Sequence, residues 1–139
     1  MPPLFLPGTI FIDHKAAAIT GIAEQKAKYF IGMNAADDDE DRIVCFVLST
    51  ENNPEKLKPG CNKDRAKFFS PMGTFKFQTR PTSVMLHRAA YYHLREIIES
   101  GTINTVETVS DMIARQIRNC IDKNDIEEFG WELIRDSLR

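Results

Sequence analysis

Two hydroxyls, Ser49 and Thr50, close the longest apolar run of this chain, and His14 and Lys15 follow Asp13 at the end of its first. A hydroxyl held at a rigid strand end can donate to a phosphate oxygen and stabilise the charge that develops there. Histidine exchanges protons near neutral pH, and lysine brings a positive charge. Together these groups suit phosphodiester chemistry or the grip of a nucleic-acid backbone. They also have structural uses: Ser, Thr and the Asn52-Asn53 that follows all favour turns. His87 and His93 are scattered, and with three widely spaced cysteines they offer no metal-ligand spacing. No metal and no cofactor is therefore expected.

Basic residues interleave with aromatic ones. Lys26, Lys28, Lys67, Lys76 and Arg80 alternate with Tyr29, Phe68, Phe69, Phe75 and Phe77. Single-stranded RNA is bound by such a surface through phosphate contacts and base stacking, with Lys15, Lys26 and Arg80 as candidate backbone contacts. The same alternation is what a half-buried strand shows when its phenylalanines point inward.

The elements that must position these groups are short apolar runs rich in β-branched and aromatic residues. They predict strands at 9–12, 29–33, 43–48, 67–69, 74–78 and 83–87. Residues 51–63 carry two prolines and a glycine and read as an excursion between strands, while the acidic run 37–41 reads as an exposed hairpin loop. Helices are expected from 89 to 99, with Gly101 as its cap, and again after Asn104 and Asn124, each followed three residues on by Glu. Val106, Val109, Met112, Ile113, Ile117, Cys120 and Ile121 form an apolar stripe at three- and four-residue spacings, which predicts core packing. The whole is expected to be one α+β domain, strand-rich over 8–87 and helix-rich over 88–139.

With 139 residues, 42% hydrophobic and 27% charged, the composition is that of a globular domain. The net charge of −2 argues against a general nucleic-acid coat protein, although five of the twenty acids lie in the 37–41 loop and the remainder is mildly basic. Cys45, Cys61 and Cys120 include no Cys-x-x-Cys pair, so buried thiols in a reducing cytoplasm are the expectation. The opening residues lack a basic region before an apolar one, and no run approaches the ~20 apolar residues of a membrane span. A cytoplasmic protein with no membrane contact is expected.

The early Gly8-Thr9-Ile10-Phe11-Ile12-Asp13, the basic residue leading Lys28-Tyr29-Phe30-Ile31, the hydroxyls ending the run to Thr50, and Ser83-Val84-Met85-Leu86 follow one another in an order that resembles the MazF/PemK-like growth-inhibiting toxins. The resemblance covers roughly residues 8–99. It implies a small SH3-like antiparallel β-barrel with C-terminal helices packed on it, and metal-independent cleavage of single-stranded RNA. It further implies a toxin–antitoxin system, hence an antitoxin protein partner, and a homodimer is also compatible. Thr50 and Ser49 match the family's hydroxyl at the end of the third strand. Lys28 or Lys26 stands where the family has Arg-Pro, supplying charge without the bidentate guanidinium fork. In that reading the RNA 2′-hydroxyl attacks the adjacent phosphate, His14 or Lys28 assists proton transfer, and Thr50 and Ser49 hold the phosphate. The residues also admit a non-catalytic protein-interaction module on the same barrel, or a nucleic-acid-binding accessory protein of a mobile element.

Overall fold

A computed structural model describes residues 3–15 and 27–139. Its centre is β3 (Arg42–Thr50), whose apolar run Ile43-Val44-Cys45-Phe46-Val47-Leu48 is buried on both sides except at half-buried Val47. Ile43 and Cys45 enter one apolar cluster, while Val44, Phe46 and Leu48 enter another. A strand buried on both faces needs no polar alternation, which is why this run reads as continuous apolar sequence.

On one side of β3 lie β2 (Lys28–Gly32) and then β1 (Thr9–Asp13), joined by antiparallel ladders that set Phe11 opposite Phe30 and Ile31 opposite Phe46. The expected antiparallel trio is therefore present, with 37–41 in the connection between β2 and β3. Asp37 Oδ1 accepts from the Asp39 and Glu40 amides at 2.9 Å and curls that turn. Buried Asn34 fastens its base, accepting from Val44 N at 2.7 Å and donating to Arg42 O at 2.9 Å.

The other edge of β3 serves two partners. Its C-terminal end pairs with β6 (Thr82–Met85) and its N-terminal half with β7 (Ala90–His93). Beyond β6 lie β5 (Lys67–Ser70) and β4 (Gly60–Asn62), and beyond β1 lies β8 (Ile103–Thr108). The result is an eight-stranded antiparallel sheet in an α+β fold, with no ladder joining β4 to β8 among the described residues.

Helices cover both faces. α1 (Leu94–Glu99) contributes Leu94 and Ile97 to the cluster holding Phe5, Phe11, Phe30 and Tyr92. α2 (Asp111–Cys120) and α3 (Glu128–Ser137) close the opposite face with Ala114, Ile117 and Ile134.

Four sequence expectations are corrected. The helix expected from 89 begins only at Leu94, because Ala90–His93 pairs with β3 first. The helix expected after Asn104 is strand β8 up to Thr108, recruited by the edge of β1, and Ser110 caps α2 by accepting from Ile113 N. Val106 and Met112 consequently leave the buried stripe and are 40% and 63% exposed. Residues 74–78 are a turn rather than a strand: buried Gln78 donates to Ser70 O at 2.7 Å, and Phe77 N donates to Glu107 Oε1 at 3.0 Å. Finally, Cys61 and Cys120 are disulfide-bonded, tying β4 to α2, and Cys45 alone is a buried free thiol. That pairing removes the ground on which a reducing compartment was expected. Among the described residues, no helix is long and apolar enough to cross a membrane.

Candidate functional site

A polar row crosses four strands on the α1 side of the sheet. The β1–β2 ladder sets Asp13 opposite Lys28. Tyr29 faces Leu48 in the last pair of the β2–β3 ladder, and Lys28 and Ser49 are the next residues along the two strands. Ser49 in turn pairs with Ser83, whose buried hydroxyl has no hydrogen-bond partner among the described residues. The neighbouring row is apolar, with Phe11 opposite Phe30 and Phe30 opposite Val47. Lys28, Phe30, Val47, Met85, His87 and Arg88 line a cleft of about 310 Å³. Its lining combines the basic Lys28 and Arg88 and the His87 imidazole with apolar Phe30, Val47 and Met85. Such a site can hold a phosphodiester, with side-chain charge available to the phosphoryl oxygens.

Thr50 faces the other way, since successive side chains of a strand point to opposite faces. With Tyr29, Leu48, Phe77, Arg80 and Thr82 it lines a pocket of about 230 Å³. Tyr29 and Phe77 stack there with ring centroids 4.3 Å apart. On its other flank Thr50 borders a polar pocket of about 280 Å³ with Asn52, Asn53, Lys56 and Arg65. Lys67 lines this pocket too, but its ammonium is held by Glu51 at 3.0 Å.

His14 and Lys15 lie at a third place. His14 Nε2 sits 3.2 Å from Asn104 Nδ2, and its amide donates to Thr102 O at 2.9 Å. Lys15 borders a cavity of about 410 Å³ with Asp13, Arg95, Glu96 and Glu99. Buried Asp13 accepts from the Tyr92 hydroxyl at 2.7 Å and from Lys15 N at 2.9 Å. Burial first, then the bond to Asp13, pushes the Tyr92 hydroxyl well above the ordinary tyrosine range. Burial, followed by the charges of Asp13 and Glu96, likewise raises the Cys45 thiol.

The structure thus sets Lys28 and Ser49 at the same end of the β2–β3 ladder and Thr50 in one pocket with Arg80, and leaves His14 and Lys15 apart from both. Lys26 lies outside the described residues. The sequence places His87 at the end of an expected strand over 83–87 and singles out no role for it or for Arg88; both instead follow β6 in a turn and line the cleft with Lys28. The parity of Lys28 with Phe30 and of Ser49 with Val47 was a usable signal for which hydroxyl shares the lysine's face. No family model matches the chain, and no curated protein is significantly similar to it.

Proposed function

We propose that this protein is a metal-independent endoribonuclease of the toxin type, cutting single-stranded RNA in the cleft over Lys28. The observation that carries the reading is the convergence of Lys28, His87 and Arg88 on one cleft. In this mechanism neutral His87 accepts the proton of the 2′-hydroxyl as its oxygen attacks the adjacent phosphorus. Lys28, Arg88 and the Ser49 hydroxyl stabilise the charge that builds on the phosphoryl oxygens. The bond from phosphorus to the 5′-oxygen breaks, that oxygen takes a proton from water, and the products are a 2′,3′-cyclic phosphate and a 5′-hydroxyl end. Positive side chains supply the electrostatic stabilisation that a metal would otherwise give.

The fold supports an SH3-like reading of the sheet: β3 divides its edge between β7 and β6, and the turn carrying Phe77 reaches from β5 to Glu107 on β8. An antitoxin partner and a homodimer belong to the same proposal.

The test is incubation of the full chain with mixed RNA in EDTA. Defined fragments ending in 2′,3′-cyclic phosphate, lost in Lys28→Ala, are expected. Absence of fragments and of growth inhibition on expression would overturn the reading. It would favour instead a non-catalytic interaction module, for which Ile98, 63% exposed in a hollow it shares with Asp38, Asp41 and Arg95, is the surface to examine.

A further inference from the structure

Two pockets of different chemistry meet at one residue at the end of β3, the first on the face opposite the cleft and the second reaching round to Lys67 and Glu51 on the cleft's side. The first has an aromatic wall, Tyr29 stacked on Phe77, with the Arg80 guanidinium and the Thr82 side chain on its border. The second is polar and carries Lys56 and Arg65, neither of which forms a salt bridge with a described residue. Thr50 lines both. Nucleobases stack on aromatic side chains and guanidinium planes, and phosphates are held by lysine and arginine. An aromatic compartment joined to a cationic one has the two-part chemistry of a single nucleotide.

We propose that the paired pockets around Thr50 bind one nucleotide, its base against Tyr29, Phe77 and Arg80 and its phosphate against Lys56 and Arg65. The inference rests on the RNA-cleaving reading only in taking the nucleotide to be part of the same RNA strand. Thr50 adjoins Ser49, so a strand rounding the end of β3 meets Lys28 and Ser49 on one face and the aromatic pocket on the other. The shared chemistry, base plus phosphate, also fits a free nucleotide.

The experiment titrates the ¹⁵N-labelled full chain, followed by its amide resonances, with the four ribonucleoside 5′-monophosphates, with adenosine, and with ribose 5-phosphate. A tetraribonucleotide is added with and without one abasic residue. A monophosphate should shift the amides of Tyr29, Thr50 and Arg80 and bind more tightly than adenosine or ribose 5-phosphate. Arg80→Ala and Arg65→Ala should each weaken it by roughly tenfold, the loss of about 1.4 kcal/mol of stacking or charge. Phe77→Leu should do the same, and the exposed Arg80 and Arg65 variants keep the test valid if it unfolds. Tighter binding of the intact tetranucleotide than of the monophosphates assigns the site to an RNA strand, and the reverse assigns it to a free nucleotide. Ribose 5-phosphate binding as well as the monophosphates, or shifts confined to the Lys28 cleft, would overturn the proposal. Nucleotide binding here without RNA cleavage would sink the ribonuclease reading and leave this one standing, whereas cleavage without it would do the opposite.

Discussion

Ser49 and Thr50 are neighbours in the chain and face opposite sides of the sheet, Ser49 paired with Ser83 beside Lys28 and Thr50 opening onto Tyr29 and Arg80. The two hydroxyls therefore cannot grip one phosphate together, and their substitutions should separate. Ser49→Ala should lower the rate of RNA cleavage by on the order of 10²–10³, as for one donor to a developing oxyanion. Thr50→Ala should act chiefly on KM. Single-turnover and steady-state kinetics on one RNA distinguish the two, and a larger rate loss in Thr50→Ala would place the chemistry on the other face.

The Tyr92–Asp13 hydrogen bond predicts a stability effect with its own pH signature. Tyr92→Phe leaves a buried carboxylate without its side-chain donor and should cost about 1–3 kcal/mol in urea unfolding at neutral pH. Because burial raises the Tyr92 hydroxyl above the ordinary 10.0, the folded protein keeps a proton that the unfolded chain releases in alkali. That contribution is fully present below pH 10 and is lost as the pH rises beyond it. The raised Cys45 thiol acts in the same direction from pH 9.0 upward. Tyr92→Phe should flatten the decline above pH 10, and a parallel decline in both proteins would contradict the assignment.

The Cys61–Cys120 bond closes a loop of 59 residues. Chain-entropy loss in the unfolded state makes such a link worth about 4 kcal/mol. Dithiothreitol should lower the urea midpoint of the native protein and leave that of a Cys61→Ser, Cys120→Ser double variant unmoved. Equal midpoints with and without reductant in the native protein would mean that the thiols are unpaired in solution.

Burial along α2 sorts three substitutions. Ile117 is fully buried between α2 and the sheet, Ile113 packs at the margin, and Met112 is largely exposed. Ile117→Asp should cost about 3–5 kcal/mol, Ile113→Asp clearly less, and Met112→Asp within about 0.5 kcal/mol of zero. Thermal melts that rank the three otherwise would show that α2 is rotated on the sheet.

Local pattern determined much of this protein. Short apolar runs rich in β-branched and aromatic residues placed β1, β2, β3, β5 and β6 to within a few residues, because a strand's burial is written in consecutive positions. The apolar stripe located α2, although Val106 at its start falls in β8. The register of strands far apart in the chain is not local, and there tertiary structure decided. Ala90–His93 and Ile103–Thr108 carry helix-compatible spacings, yet the open edges of β3 and β1 satisfy their backbone groups and make them strands. Phe75 and Phe77 alternate as a strand would, but Gly73 takes a φ of 92° and Gln78 turns the chain back onto Ser70, so the backbone curls across the sheet instead. The candidate site divides along the same line. Ser49, Thr50 and Lys28 were legible as chemical groups at strand ends. Which of them share a face, and that His87, Arg88 and the Tyr29–Phe77 stack join them, depended on pairings between residues twenty to fifty positions apart, whose free energy no local pattern encodes.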